Sequence, residues 1–452
     1  MRRAAIAALL DVERGAHSTE RLRTNEQPFV REAVLGVLRR QLTLDAIHDA
    51  WGKRPASDLD PEVRAAIRLG LYQLHFMDGV PPHAAVDETV GAVGRASARS
   101  YVNGVLRRIG RESRKVPPDA DRGGASPTKR LERPGRSVSF FSKKVFPDPE
   151  ADRAGYLAVL HSHPRWIVER WLEHVGEEQT LERLRRGNEV PNLMLRPRRG
   201  RIDAEGLARK LVAEGAPARV FAREHGDDAV EVPGNKSRNV FRGDAWKAGL
   251  CSVQDPSQMD AVELLDPQPG ETVWDACAAP GGKACQIAER LDGNGLLVAS
   301  DENARRLDKL LPGLQGVGLA DGVRIVPHDV LADEGPKGKP SAGFDAILLD
   351  VPCSNSAVFG RRPEARWRIQ PESLDQLHEL QARMIAAARV HLAPGGRMVY
   401  SVCSFEPEEG ERHGLEATHS PLAWTTDARA PQSDAPVGGS VGFGWQDDPG
   451  AG

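Results

Sequence analysis

No stretch of this chain approaches about eighteen consecutive apolar residues, so a membrane-spanning helix is not expected. The opening MRRAAIAALLDVERGA places basic residues before a short apolar run, but Asp11 and Glu13 interrupt it and no cleavage-type site follows. It reads as an amphipathic first helix and not as a secretion signal. Cysteine is scarce: five residues, at 251, 277, 285, 353 and 403. An odd, scattered set in a chain too large to need staples is no disulfide framework, and it points to free thiols in a reducing cytoplasm. No Cys-x-x-Cys pair occurs and no histidine stands at ligand spacing from a cysteine, so no metal site is expected. A formal net charge of -3 does not by itself suggest a polyanionic partner.

What is present is ordinary globular composition, 28% charged and 40% hydrophobic over 452 residues, enough for two or three domains. Charge is unevenly placed: residues 107–136 hold ten basic side chains against four acidic ones. The same stretch contains VPPDADRGGASPTKRLERPGRS, rich in Pro, Gly and Ser, which predicts a linker over 113–149. Before it, apolar residues recur at three- and four-residue spacing, with Asp60-Pro61 and Pro82 as helix starts, so residues 1–112 are predicted to be an all-helical domain. Residues 150–246 mix helical segments such as HPRWIVERWLEHVG with short strands such as NLMLRPRR and AVEVPG, predicting a small α+β module of RNA-recognition-motif-like kind. Its Arg196 and Arg198, with Arg199 and Arg201 beside them, are candidates for phosphate contact or simply a charged strand end.

Residues 247–452 carry the chemistry. ETVWDACAAPGGKACQIAERL followed by GLLVASD reads as strand, glycine-bearing turn, helix and a second strand ending on Asp301. Gly281 and Gly282 permit a tight turn and close backbone approach to a ligand, and a helix N-terminus behind them offers unpaired N–H groups. An acid ending the second strand is placed to accept hydrogen bonds from ribose hydroxyls. The turn is neither G-x-G-x-x-G nor a phosphate-binding Walker loop, since Ala284 follows Lys283. Further strands end on Asp329, on Asp350 with Cys353 close behind, and on Cys403. A doubly wound, Rossmann-like α/β sheet collects such residues in one crevice.

Asp275-Ala-Cys-Ala-Ala-Pro-Gly-Gly-Lys283, Asp350-Val-Pro-Cys-Ser354, Arg361-Arg-Pro-Glu364 with Trp367, and Pro394 to Ser404 resemble the motifs of the RNA 5-methylcytosine methyltransferases of the Nop2/Sun family. The front domain, through patterns such as FVREAVLGVLRR and YVNGVLRRI, resembles the NusB-type RNA-binding helical domain, as in the RsmB/Sun-type members that act on small-subunit rRNA. The resemblance covers nearly the whole chain. It implies a monomeric, S-adenosylmethionine-dependent enzyme that methylates carbon 5 of a cytosine in small-subunit (16S) rRNA, in a loop, single-stranded or partly assembled form. By the same resemblance Cys403 is the nucleophile, Cys353 assists product release and Asp350 activates the cytosine. Cys277, Ala278, Ala279, Pro280, Gly281, Gly282 and Lys283 surround the cofactor with Asp301, Asp329 and Asp350. Arg361, Arg362, Arg366, Trp367 and Arg368, next to the crevice in sequence, suit phosphate contact and base stacking.

The chain departs from that pattern in five places, one of them Gly410, which stands where Glu-Glu-Asn-Glu would normally continue. Asn355-Ser356-Ala357 stands where Gly-Thr-Gly is usual, which implies a stiffer loop, and Val402 replaces a threonine before Cys403. Ala284 follows the Gly-Gly-Lys in place of threonine, and the terminal VGFGWQDDPGAG lacks the closing apolar strand expected of the fold. These departures keep a second class of function in view, a non-catalytic RNA-binding or ribosome-assembly factor that retains the fold. Asp-Val-Pro-Cys in place of Asn/Asp-Pro-Pro-Tyr/Phe speaks against an amino-directed methyltransferase.

Overall fold

Asp60 shows how the sequence starts its helices: its side chain accepts the Glu62 N–H at 3.1 Å, and Pro61, which has no N–H to leave unpaired, takes the first helical position. In the computed structural model, residues 1–16, 22, 27–117, 126–133, 136–224, 226–308, 310, 314, 319–413 and 441–446 are described. They fall into two units, Met1–Glu189 with Phe359–Ile369, and Val190–Val358 with Gln370 onward. No helix of the described residues is long and apolar enough to cross a membrane.

The first unit is built on five helices, α1 (Arg2–Glu13), α2 (Pro28–Asp49), α3 (Pro61–Phe76), α4 (Pro82–Ala92) and α5 (Ala96–Glu112). Their three- and four-spaced apolar positions, among them Val30, Val34, Val37, Ile67, Leu71, Val102, Leu106 and Ile109, meet in one core. Each such aliphatic side chain contributes roughly 1.5–3 kcal/mol by leaving water. Gly36 of α2 sits against Tyr72 of α3 so closely that a methyl group there would overlap the ring.

The expected linker is a correction. Ser113–Val116 (β1), Arg130–Arg133 (β2) and Ser137–Phe141 (β3) form an antiparallel sheet in the order β1-β3-β2. Leu131, Phe141 and Phe146 are buried in the helical core, which holds their segments although the stretch looks polar in bulk; residues 118–125 and 134–135 of the expected linker lie outside the described residues. Helices α6 (Arg153–His161) and α7 (Arg165–Asn188, interrupted at Gly176) also belong to this unit, not to the small α+β module.

The second unit opens with a four-stranded antiparallel sheet, β4 (Leu193–Pro197), β5 (Arg219–Phe221), β6 (Ala229–Val232) and β7 (Cys251–Val253), ordered β5-β6-β4-β7 and backed by α8 (Ala204–Ala213). Because β7 completes it, the module runs past residue 246. After α9 (Pro256–Leu265), the larger sheet comprises β8 (Thr272–Asp275), β9 (Leu296–Asp301), β10 (Val323–Pro327), β11 (Phe344–Asp350), β12 (Leu392–Val402) and β13 (Val441–Gln446). Helix α10 (Gly282–Leu291) follows β8, and α11 (Pro371–Arg389) precedes β12.

The order is β10-β9-β8-β11-β12-β13, with every pair parallel except β12–β13. The chain winds outward from β8 in one direction and from β11 in the other. Such a reversal opens a crevice at the carboxyl ends of the two central strands. The edge is also a correction: Val441–Gln446 pairs with Arg397–Val402, so the closing strand is present despite its two glycines.

Candidate active site

Strand β8 ends on Asp275 and β11 ends on Asp350, and the two lie on neighbouring strands whose register pairs Leu348 with Asp275. Asp275 is 1% exposed, and neither carboxyl oxygen has a hydrogen-bond partner among the described residues. Burial, then the Asp350 charge, push this carboxyl up to about 7, with Lys283 working in the other direction.

Beyond Asp275 the chain turns through the Ala-Ala-Pro-Gly-Gly segment. Gly281, at φ +112° and packed on Leu310, takes a backbone conformation that a side chain would strain, and Gly282 faces open space. Helix α10 starts there and carries Lys283 inward. Its ammonium donates to Asp350 Oδ2 at 2.6 Å, while the Ser401 hydroxyl donates to Asp350 Oδ1 at 2.6 Å. Burial alone would lower the Lys283 pKa, but Asp350, Asp275 and Cys403 more than offset it, and the net shift is upward. The lysine is a held cation at neutral pH.

Asp301 ends β9, is buried, and accepts the Asn303 N–H at 3.0 Å. Arg306 pairs with it at 3.3 Å and donates to the Ala279 carbonyl at 3.1 Å, tying the β8 turn to the end of β9. Ala278 and Ala279 are buried and Pro280 is exposed. The half-buried Cys277 thiol is held well above its ordinary pKa by burial and then by the charges of Asp350, Asp275 and Asp301. Asp329 is exposed, and its Oδ1 accepts the Leu331 N–H at 2.9 Å.

The two thiols of interest meet. Cys353 and Cys403 follow the adjacent parallel strands β11 and β12, and their sulfurs lie 3.2 Å apart. Cys403 Sγ is 3.4 Å from Asn355 Oδ1, and Asn355 Nδ2 donates to the Cys353 carbonyl at 2.7 Å. The hydrogen bond to Cys403, then burial and the Cys403 and Glu409 charges, hold the Cys353 thiol well above its ordinary pKa. Each cause disfavours the Cys353 thiolate. Asn355 sits at φ +61°, a conformation asparagine tolerates, so the loop keeps a glycine-like path without the glycine. Ser356 stays buried, accepting the Phe405 N–H at 2.7 Å.

The remaining sequence candidates divide between the two units. Arg361, Arg362, Arg366, Trp367 and Arg368 belong to the first unit, whereas the paired cysteines belong to the second. Arg366 is 0% exposed: it donates to the Ser162 carbonyl and Asn188 Oδ1, each at 3.0 Å, and to the Gly187 carbonyl. Trp367 Nε1 donates to the Leu38 carbonyl at 3.0 Å, and Arg362 and Arg368 are exposed. Arg196 and Arg198 are buried and both pair with Glu289. The expectation of phosphate contact is thus corrected for Arg366, Arg196 and Arg198, whose guanidinium groups are consumed inside the protein. Sequence reasoning missed Ser401 and Arg306, the partners of Asp350 and Asp301. Ser401 lies inside the motif that ends on Ser404, but nothing in its spacing marks it as a partner of Asp350, far away in the chain.

Sequence comparison agrees with this architecture at both ends. The model of the 16S rRNA methyltransferase RsmB/F family matches residues 262–420, and that of the NusB family matches residues 1–111. A Synechocystis protein described as "Probable ribosomal RNA small subunit methyltransferase B" is 32% identical over 85% of this chain and 79% of its own length. The ribosomal RNA small subunit methyltransferase B of Cronobacter sakazakii is 29% identical over 89% of this chain and 83% of its own. The crystal structure of PH0851 superposes with a TM-score of 0.69 at 24% identity, covering 91% of this chain and 87% of that one, which shows a shared fold.

Proposed function

The chain belongs to the 16S rRNA methyltransferase RsmB/F family, and from that premise we propose that it methylates carbon 5 of a cytosine through a covalent Cys403 adduct. One observation carries the reading: two sulfurs 3.2 Å apart at the carboxyl ends of adjacent parallel strands, beside an Asp350 held by a lysine and a serine.

The methyl donor of this family is S-adenosylmethionine, which supplies an electrophilic methyl group on a sulfonium. The residues present suit it. Asp275 is a buried carboxyl without a partner, which favours a ligand carrying positive charge, and the open backbone at Gly282 leaves room for close approach. Residues 277–283 would hold the methionine part, Asp301 the ribose hydroxyls and Asp329 the adenine side.

Cytosine carbon 5 is a weak nucleophile. Addition of the Cys403 thiolate to carbon 6 forms an S–C bond and makes carbon 5 enamine-like, so that it can take a methyl group. The Lys283 ammonium interacts with Cys403 and so favours its anionic form. Asp350, oriented by Lys283 and Ser401, hydrogen-bonds the cytosine edge and favours protonation of the ring nitrogen, which draws electrons from carbon 6. Afterwards the carbon-5 proton passes to solvent water, the electron pair of that C–H bond forms the C5–C6 double bond, the S–C6 bond breaks and 5-methylcytosine is released. Cys353 assists this elimination by donating its proton to the departing Cys403 sulfur, 3.2 Å away.

A base paired in a helix hides carbon 6 from attack above the ring, so the substrate is a loop, single-stranded or partly assembled small-subunit rRNA. The chain acts as a monomer in the cytoplasm. Bisulfite sequencing of unmethylated small-subunit rRNA after incubation with the protein and S-adenosylmethionine tests the proposal. One newly protected cytosine is expected. Methyl label on ribose or on an exocyclic nitrogen, or rRNA binding without any transfer, overturns it.

A further inference from the structure

Glu409 takes no part in the chemistry above, yet it is 0% exposed and its carboxyl group gathers both cysteine loops. Oε1 accepts the Ser354 N–H at 2.8 Å and the Gln381 side-chain N–H at 3.1 Å. Oε2 accepts the Ser404 hydroxyl, whose oxygen lies 2.9 Å from Ser354 Oγ and 3.2 Å from Ser356 Oγ. Gln381 of α11 also donates to the Pro352 carbonyl at 3.0 Å. The residues on either side of Cys353 and the residue after Cys403 thus converge on Glu409 and its Gln381 partner.

These loops lie beyond the sheet ladder, where a buried N–H without an acceptor costs free energy comparable to a lost hydrogen bond. Glu409 supplies that acceptor, and because it binds both loops it fixes one against the other. Its negative charge also faces Cys353 and opposes loss of that thiol's proton. We propose that Glu409 is a positioning residue that sets the Cys353–Cys403 separation and thereby controls release of the methylated RNA.

The inference rests on the two-thiol reading, so its test includes Cys353→Ala as a reference. Full-length wild type, Glu409→Ala, Glu409→Gln and Ser404→Ala are compared for S-adenosylmethionine affinity, rRNA KM, kcat and the fraction of rRNA trapped as a denaturation-resistant adduct. For Glu409→Ala, cofactor affinity and KM stay within about twofold while kcat falls roughly 100-fold, the scale of an ångström-level misplacement, and adduct accumulates. Glu409→Gln recovers much of the rate, because its amide oxygen still accepts the Ser354 N–H. If Glu409→Ala does not fold, Ser404→Ala decides, with trapping again expected. Turnover at the wild-type rate, or lost turnover without trapping while Cys353→Ala traps, overturns the role of Glu409. Absence of trapping in Cys353→Ala itself overturns the two-thiol reading, and this inference with it.

Discussion

Cys353 Sγ and Cys403 Sγ lie 3.2 Å apart, and the hydrogen bond between them is the largest cause holding the Cys353 proton in place. An acid whose anion is disfavoured ionises only at higher pH, so removing that cause moves the titration down. In Cys403→Ala, Cys353 is alkylated by iodoacetamide at lower pH than in wild type, as read by peptide mass across a pH series. An unchanged profile contradicts the sharing of a proton between the two sulfurs.

Asp275 predicts a pH-dependent stability of opposite sense to that of a salt-bridged acid. Its pKa is raised from 3.8 to about 7, so the folded state binds the extra proton. The carboxyl is neutral in both states below the unfolded value. The cost of burying it grows as pH rises through that window and is full above the folded value, on the order of a few kcal/mol. Asp275→Asn removes the cost. Urea denaturation of the cofactor-free protein shows the variant more stable than wild type at pH 8, with the gain vanishing near pH 4.

Lys283→Met leaves Asp350 without its cation and Cys403 without a neighbouring positive charge. Asp350 is 33% exposed, so the lost stability is modest for a buried pair, about 1–3 kcal/mol after solvent screening. The loss of methyl transfer is larger, of the order of 100-fold or more. Denaturation curves and initial rates on the same preparation separate the two effects.

Arg198 and Arg366 are predicted to matter for folding and not for phosphate contact. Glu289 lies between Arg196 and Arg198, and its carboxyl is held below the usual range, burial being outweighed by the two guanidinium groups. Breaking such a buried cluster with Glu289→Ala costs about 3–5 kcal/mol. Arg198→Met and Arg366→Lys lower the melting temperature, while the slope of log affinity for rRNA against log salt stays that of wild type. Removal of a phosphate contact reduces that slope by close to one unit.

Much of this molecule is legible in its sequence because the signals are local. The helical spacing of Val30, Val34 and Val37, the Asp60-Pro61 start and the alternation of strand and helix from Thr272 onward are set by near neighbours. The motif around Lys283 and the two cysteine motifs likewise declare themselves within a few residues. What sequence reading misses depends on partners far apart. Leu131 and Phe141 sit in a stretch whose composition predicts a linker, and the helical core they enter holds their two strands. Arg196 looks like a surface cation until Glu289 is folded against it. Arg366 looks available beside Trp367 until the carbonyls of Ser162 and Gly187 close around its guanidinium. Val441–Gln446, broken by Gly442 and Gly444, is recognisable as a strand through its pairing with Arg397–Val402.

The central claim is the division of labour between two cysteines, and one gel tests it. Wild type, Cys353→Ala and Cys403→Ala are incubated with unmethylated small-subunit rRNA and S-adenosylmethionine and run under denaturing conditions. The predicted result is product without retained adduct for wild type, a protein–RNA adduct that persists for Cys353→Ala, and neither adduct nor product for Cys403→Ala. Adduct or methylated product from Cys403→Ala would contradict the assignment.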